Sequence, residues 1–375
     1  MRSIATKETA NYAEPYCTAH GGRVYEAARR LGISAEEIID FSANINPLGP
    51  PSGVLTAIEN NLSPLGLRAY PDESAFVYAL ADRHNVAPDE IIIGNGSAGL
   101  MFAVLRAILP KRVLLLEPAF GEYLRACVAV KAEVTRWLLV EQTGFTPDFE
   151  SLIGALEERK FDLVILNSPH NPTGSLYARE ELLRLVDRAE ANNVAVLLDE
   201  AFIDYAPQSS LLALAPRTSR LVVLRSLTKF YAIPGLRIGY AVCEARLATA
   251  ARKQIEAWPV STVALEAGRT ALNEDEYAAQ SRLVNAQARE EFADALRGIG
   301  MHVFPSAASF LLVRLPCGSG AELARWLESS RILIRRCDSY GGLGDPYIRL
   351  AVRSREDNLR LVSQIATWLR RTEVC

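Results

Sequence analysis

The sequence predicts an α/β fold: a large domain built on a mostly parallel sheet, followed by a smaller α+β domain. Three observations predict it. Between about residues 75 and 270, short runs rich in Val, Ile and Leu alternate with longer stretches of helical period, which is how strands joined by crossover helices read. Each of those apolar runs stops at a cluster of polar, Gly or Pro residues. After about residue 275 the alternation gives way to one long polar helical stretch and then to short mixed segments.

Taken in order, residues 1–50 are loop-rich, and SANINPLGPPSG is too dense in Pro and Gly for a regular element. This stretch is expected to be an N-terminal arm or lid that packs with the small domain. Residues 51–270 form the large domain. Its strand candidates are Ile91–Gly94, Val113–Glu117, Leu163–Asn167, Val194–Asp199, Leu221–Ser226 and Ile238–Val242, all apolar enough to be covered on both faces. Residues 271–375 form the small domain: a helix over Asp275–Arg297, the segments HVFPSAASFLLVRL, ILIRRC and YIRLAV, and the amphipathic REDNLRLVSQIATWLRR.

Composition narrows the function. With 375 residues, 49% hydrophobic and 23% charged, the chain has the mix of an ordinary globular protein. Lys and Arg number 41 against 44 Asp and Glu, net −3, so no general field attracts nucleic acid or an anionic membrane. Any anionic ligand must meet local arginines. No apolar run approaches a membrane span, and the N-terminus has no apolar leader core. The six cysteines (17, 127, 243, 317, 337, 375) show no C-x-x-C pair, so scattered thiols in a reducing cytoplasm are expected.

The polar strand ends carry the chemistry, because ligands of open α/β sheets bind beyond the carboxyl ends of the strands. In RSLTKFYAIPGLRIGY, Lys229 follows an apolar strand, with Ser226 and Thr228 beside it and Arg237 eight residues on. Such a lysine can form an imine with a cofactor whose phosphate the hydroxyls and the arginine hold, or it can be a solvated strand-end lysine. Asp199 in LLDEAF can keep a pyridine nitrogen protonated, or serve as a cap or ion-pair partner. Asn171 in NSPHNPTG is a donor in a rigid turn, or simply a turn residue. In IIIGNGSAG, residues Gly96, Ser97 and Ala98 open a helix and present backbone N–H groups suited to a phosphate. Phe120 in EPAFGEY, or Tyr123, can cover a flat ring or belong to the core.

In this order and at these spacings, the five elements resemble the aspartate-aminotransferase superfamily, fold type I enzymes that use pyridoxal 5′-phosphate (PLP). The resemblance implies Lys229 as the Schiff-base lysine, Asp199 on the ring nitrogen, Asn171 on the 3′-oxygen and Phe120 stacked on the ring. It places Gly96, Ser97, Ala98, Ser226, Thr228 and Arg237 at the phosphate. It also implies a homodimer in which Tyr70 of RAYPDES reaches the partner's phosphate. Phe202 in DEAF departs from the tyrosine that many members carry there.

Over nearly the whole chain the sequence is most similar to the threonine-phosphate decarboxylases of cobalamin biosynthesis, relatives of the histidinol-phosphate aminotransferases. TAHGGRVYEAARRLGIS, IDFSANINPLGPP, YPDES, LRSLTKFYAIPGLRIGY, ILIRRC and YIRLAVRSREDN carry that likeness. His170 and the WPVST segment fit it less well. The likeness implies a phosphorylated amino acid as substrate and decarboxylation as the reaction, with His20, Asn46, Arg335 and Arg349 as substrate residues and Arg353 as a further candidate. The alternatives are a histidinol-phosphate-type aminotransferase, decarboxylation of L-serine O-phosphate, and a PLP-binding regulator, for which no basic N-terminal DNA-binding module is seen. A cytoplasmic, metal-free enzyme without nucleic-acid partners is expected.

Overall fold

The computed structural model describes residues 20–158 and 161–371. Its large sheet has seven strands: β1 (Ile91–Asn95), β2 (Arg112–Glu117), β3 (Glu133–Leu138), β4 (Leu163–Asn167), β5 (Ala195–Asp199), β6 (Leu221–Ser226) and β7 (Ile238–Val242). They lie in the order β1-β7-β6-β5-β4-β2-β3. Helix α1 (Gly96–Ile108) follows β1 directly, and α2 (Gly121–Ala129) follows β2. Strands β4, β5 and β6 are buried from end to end, since helices cover both faces of the sheet.

The sheet is mostly parallel, as expected, and two of its features could not be read from the sequence. Strand β3 was not anticipated, because Glu133, Thr135 and Arg136 interrupt its apolar residues, so it reads as an edge strand rather than a buried run. Strand β7 runs antiparallel to both β1 and β6, while the other pairings are parallel. Its reversal is invisible in composition, since a strand buried on both faces is apolar in either direction. The consequence is large. The start of β7, with Arg237 just before it, comes to the same end of the sheet as the carboxyl ends of β1, β4, β5 and β6.

The second sheet has four antiparallel strands, in the order β10-β11-β9-β8: β8 (His302–Val303), β9 (Phe310–Arg314), β10 (Arg335–Arg336) and β11 (Tyr347–Ala351). It packs on α3 (Asp275–Gly298), α4 (Gly320–Ser329) and α5 (Arg355–Arg371) around a core that includes Phe292, Leu311, Ile348 and Ile365. Phe41 from the N-terminal stretch joins that core. Next to it, Ile39–Asp40 pairs in parallel with Ile332–Leu333. The Pro-rich stretch is irregular up to Pro51, but Ser52 and Gly53, expected in the loop, open a helix over Ser52–Asn61. Cys127, Cys243 and Cys337 are buried free thiols; Cys317 departs from that expectation, being disulfide-bonded. Among the described residues no helix is long and apolar enough to cross a membrane, and no cluster of metal-ligating side chains occurs.

Behind the carboxyl ends of β5 and β6 lies a buried ion cluster. Arg225 Nη1 lies 3.4 Å from Glu200 Oε2, and its Nη2 lies 2.5 Å from Asp204 Oδ1. Glu200 also accepts from the Ser210 hydroxyl at 2.6 Å and the Leu211 amide at 2.7 Å. The cluster fixes the chain that leaves β5 immediately after Asp199. Replacing Arg225 with Met would strand two carboxylates without a counter-charge. We predict that Arg225→Met lowers the unfolding free energy by about 3–5 kcal/mol in urea titration.

Candidate active site

A cavity of about 840 Å³ opens at the carboxyl ends of the large sheet, between it and the small sheet. Its floor is made by strand ends. Asp199 closes β5, and Ser226 closes β6, followed by Thr228 and Lys229 in the next turn. The Lys229 ammonium donates to Thr228 Oγ1 at 2.9 Å, and that hydroxyl lies 2.8 Å from Ser226 Oγ. Burial and the nearby Arg237 and Arg349 charges pull the Lys229 pKa down from 10.5 to about 8, against the opposing pull of Asp199. The amine is therefore far easier to free of its proton than a surface lysine, which is what a nucleophilic lysine requires.

Asp199 is buried. Its Oδ2 accepts from the Tyr123 hydroxyl at 2.8 Å and its Oδ1 from the Ala201 amide at 2.9 Å. Desolvation raises its pKa, and these hydrogen bonds, together with the Lys229 charge, oppose the rise. The Phe120 ring lines the same wall, half-buried, with the Tyr123 ring edge-on to it at 5.8 Å.

The phosphate end is shaped by glycine. Gly96 begins α1 at φ +74, and a Cβ there would lie 2.5 Å from Arg237 Nη2. A Cβ on Gly239 would lie 2.7 Å from the Ser97 amide nitrogen and 2.8 Å from the Arg225 carbonyl, backbone atoms that cannot give way. Bare backbone at both positions leaves the N-terminus of α1, the Arg237 guanidinium and two hydroxyls facing one space. That is a cradle for a phosphate dianion.

The second sheet supplies cations. Arg335 and Arg349 are direct cross-strand partners on β10 and β11. Like charges placed opposite each other on adjacent strands destabilise a sheet unless something compensates them. Part of the compensation is Tyr340. Its hydroxyl lies 3.3 Å from Arg349 Nη1, and the Arg335 guanidinium sits over its ring at 4.9 Å. Arg349, only 6% exposed, also donates to Asn171 Oδ1 at 2.6 Å and to the Ser42 carbonyl at 2.8 Å, and lies over Phe310 at 5.4 Å. Arg335 is less enclosed and donates to Ser339 Oγ at 2.8 Å. Because Asn171 spends its carbonyl on Arg349, its NH2 is what it presents to a ligand.

The N-terminal stretch closes the third side. His20 Nε2 lies 2.9 Å from Glu122 Oε1, and Arg125 Nη1 holds both oxygens of that carboxylate at 2.8 and 2.9 Å. Gly21 is forced by packing, because a Cβ there would lie 2.1 Å from the Ser42 carbonyl that Arg349 engages.

Of the residues singled out in the sequence, Lys229, Asp199, Asn171, Phe120, Ser97, Ala98, Ser226, Thr228, Arg237, His20, Arg335 and Arg349 all line this cavity. Gly96 stands just behind it. Asn46 does not line it. Its amide donates to the Phe230 carbonyl at 2.9 Å and to Ser281 Oγ at 2.8 Å, and its oxygen accepts from Leu48, so the side chain is consumed in fixing the loop against the Lys229 turn. Arg353 is likewise spent on Asp357 and the Asp40 carbonyl. Tyr70 is 74% exposed and stacks on Trp258, outside the cavity of its own chain. His170 is buried against Thr173 at 2.7 Å, and burial holds its pKa near 3, so it is a neutral turn-former. Phe202 packs edge-on against Phe310, extending the apolar wall below Arg349. Sequence reasoning missed Glu122, Tyr340 and the Ser42 carbonyl. No motif marks them, since each acts through a contact made from a distant segment.

The sequence pattern of aminotransferase class I and II matches residues 36–365. The chain belongs to the class I and II aminotransferase family. It is 38% identical over 358 residues to the threonine-phosphate decarboxylase of Salmonella typhimurium, covering 94% of this chain and 97% of that enzyme. Among solved structures, the histidinol-phosphate aminotransferase of Clostridium acetobutylicum superposes with a TM-score of 0.83 at 28% identity, over 89% of this chain and 100% of that one. The L-threonine-O-3-phosphate decarboxylase of Porphyromonas gingivalis gives 0.78 at 27% identity, over 89% and 100%. The family's cofactor, PLP, suits these residues: an easily deprotonated lysine, a buried carboxylate, an aromatic wall and a glycine-cleared phosphate cradle converge on one cavity. Capture of PLP by Lys229, trapped with borohydride, should speed up with pH through a midpoint near 8, and Lys229→Ala should abolish it. A midpoint near 10.5, the value of a solvated lysine, would contradict the desolvated environment.

Proposed function

We propose that this enzyme decarboxylates L-threonine O-3-phosphate to (R)-1-aminopropan-2-yl phosphate and CO2, with PLP as cofactor, in the cytoplasmic synthesis of cobalamin. The observation that carries the reading is the Arg335–Arg349 pair, two arginines opposite one another on adjacent strands that both line the cavity holding Lys229. Two neighbouring cations suit a substrate with two anionic groups, and arginine's planar fork fits both carboxylate and phosphate. The Salmonella and Porphyromonas relatives support the substrate assignment.

When bound, PLP supplies an electron sink for the pair of electrons left at Cα. The chain's own residues do the rest. Asp199 keeps the ring nitrogen protonated, Asn171 donates its NH2 to the 3′-oxygen, and the Gly96–Ala98 amides with Ser226, Thr228 and Arg237 hold the phosphate. Arg349, buried and locked to Asn171, takes the substrate carboxylate and fixes its angle to the ring. Held in a fixed orientation by Arg349, the carboxylate would be the group set up to leave Cα, which favours loss of CO2 over loss of a proton. Arg335, nearer solvent, takes the substrate phosphate, and His20 joins it on leaving Glu122. Lys229 delivers the proton that replaces CO2 at Cα. The aminotransferase reading draws on the Clostridium neighbour. Against it, WPVST, a segment that reads at least as much like that branch, does not line the cavity.

The deciding assay incubates the protein with L-threonine O-phosphate, L-serine O-phosphate or histidinol phosphate, the last with 2-oxoglutarate. CO2 and the amino alcohol phosphate from threonine phosphate are expected; transamination of histidinol phosphate instead would overturn the reading. Arg335→Ala should chiefly raise KM for the phosphorylated substrate, and Arg349→Ala should chiefly lower kcat. Each should cost about one to two decades of kcat/KM.

The same reading includes a homodimer with shared sites. Leu62, Leu65, Leu67 and Tyr70 are all exposed within one short segment, an apolar surface of the kind that a second copy covers. Mixing Lys229→Ala chains with Tyr70→Phe chains should restore activity above either parent; no recovery would indicate self-contained protomers.

A further inference from the structure

Tyr123 touches two parts of the site at once. It is 2% exposed, and its hydroxyl lies 2.8 Å from Asp199 Oδ2. Its ring meets Phe120 edge-on, at 5.8 Å and 84°. It stands in the first turn of α2, so the helix that follows β2 carries a donor to the end of β5, across the intervening β4. We infer that Tyr123 is a positioning residue for the cofactor: its hydroxyl holds Asp199 ionised and aimed at the ring nitrogen, and its ring sets the tilt of Phe120.

The argument is one of charge and lone pairs. A carboxylate buried without partners takes up a proton instead of staying charged. Asp199 must stay charged to pair with a protonated ring nitrogen. The Ala201 amide satisfies Oδ1, and the Tyr123 hydroxyl satisfies one lone pair of Oδ2, leaving that oxygen one further acceptor position. The groups that face Asp199 are Tyr123 from α2 and Lys229 from the turn after β6, and Tyr123 in turn faces Tyr177 and Tyr340. Burial pushes the Tyr123 phenol well above its usual range, so it stays a neutral donor at any working pH. Of these neighbours only Lys229 is cationic, and it is the group that would engage the cofactor. The hydroxyl on Oδ2, like the Ala201 amide on Oδ1, is a neutral partner of Asp199 that takes no part in the chemistry.

Asp199 without the phenol would hold its proton to higher pH, so the loss of cofactor binding on acidification should begin at higher pH in Tyr123→Phe than in wild type. The phenylalanine keeps the ring under Phe120 and removes only the hydroxyl. The test is PLP titration of the full-length chain across a pH series, read by visible absorbance, with thermal unfolding of the cofactor-free protein alongside. Tyr123→Phe should raise the Kd for PLP about tenfold or more and move the acid limb upward, leaving cofactor-free unfolding close to wild type. In an Asp199→Asn background the same substitution should add almost nothing, because the charge it serves is gone. An unchanged Kd and acid limb would overturn the inference, as would lowered cofactor-free stability alone, the signature of a packing role. The inference rests on Asp199 meeting the cofactor nitrogen. If Asp199→Asn itself left PLP affinity intact, that placement would be wrong, a result distinguishable from failure of the Tyr123 role alone.

Discussion

A sheet buried on both faces can keep charged groups only where its strands end. Strands β4, β5 and β6 are buried along their length, so polar side chains come only at their last residues and beyond: Asn167, Asp199, and Arg225 with Ser226. The antiparallel β7 brings Arg237 and Gly239 to that same edge. Every other property of the cavity follows from this crowding of polar groups into a shared, partly dry space. The lowered Lys229 pKa and the raised tendency of Asp199 to hold a proton share their largest cause, desolvation, acting with opposite sign on a base and an acid.

Crowding charges into such a space is costly unless each has a partner. On the large-sheet side the partners are permanent: Tyr123 and the Ala201 amide for Asp199, and Arg225 with Ser210 and Leu211 for Glu200. Across the cavity they are incomplete. Arg335 and Arg349 stand opposite each other on adjacent strands with a tyrosine, an asparagine oxygen and one backbone carbonyl as neighbours, and among the described residues no carboxylate engages either guanidinium. A pair of cations left in that condition is a site for anions. The nearest carboxylate on the wall, Glu122, is already committed to Arg125 and His20.

Residues acting through their own segment were legible in the sequence; those acting through another segment were not. Lys229 could be read because hydroxyls and an arginine stand beside it in the chain, and Asp199 because it ends an apolar run. Asn46 illustrates the opposite case. Its neighbourhood resembles a substrate loop, yet its amide groups are used by Phe230 and Ser281, nearly two hundred residues and more away in sequence. Tyr123 stood as an alternative to Phe120 for covering a ring, and nothing local told that its hydroxyl would reach Asp199.

By itself, then, the sequence determined the fold class, the strands buried on both faces and the family of the chain, because hydrophobic periodicity and short motifs are local properties. It also placed Arg335 and Arg349 on two short strands of the second domain. Only the tertiary structure decided that these two arginines are cross-strand partners, that β7 is reversed, that β3 forms an edge, and that Tyr123 meets Asp199. Each of those depends on strand order and register, which are fixed when distant apolar faces are buried together and which leave no mark on any single segment.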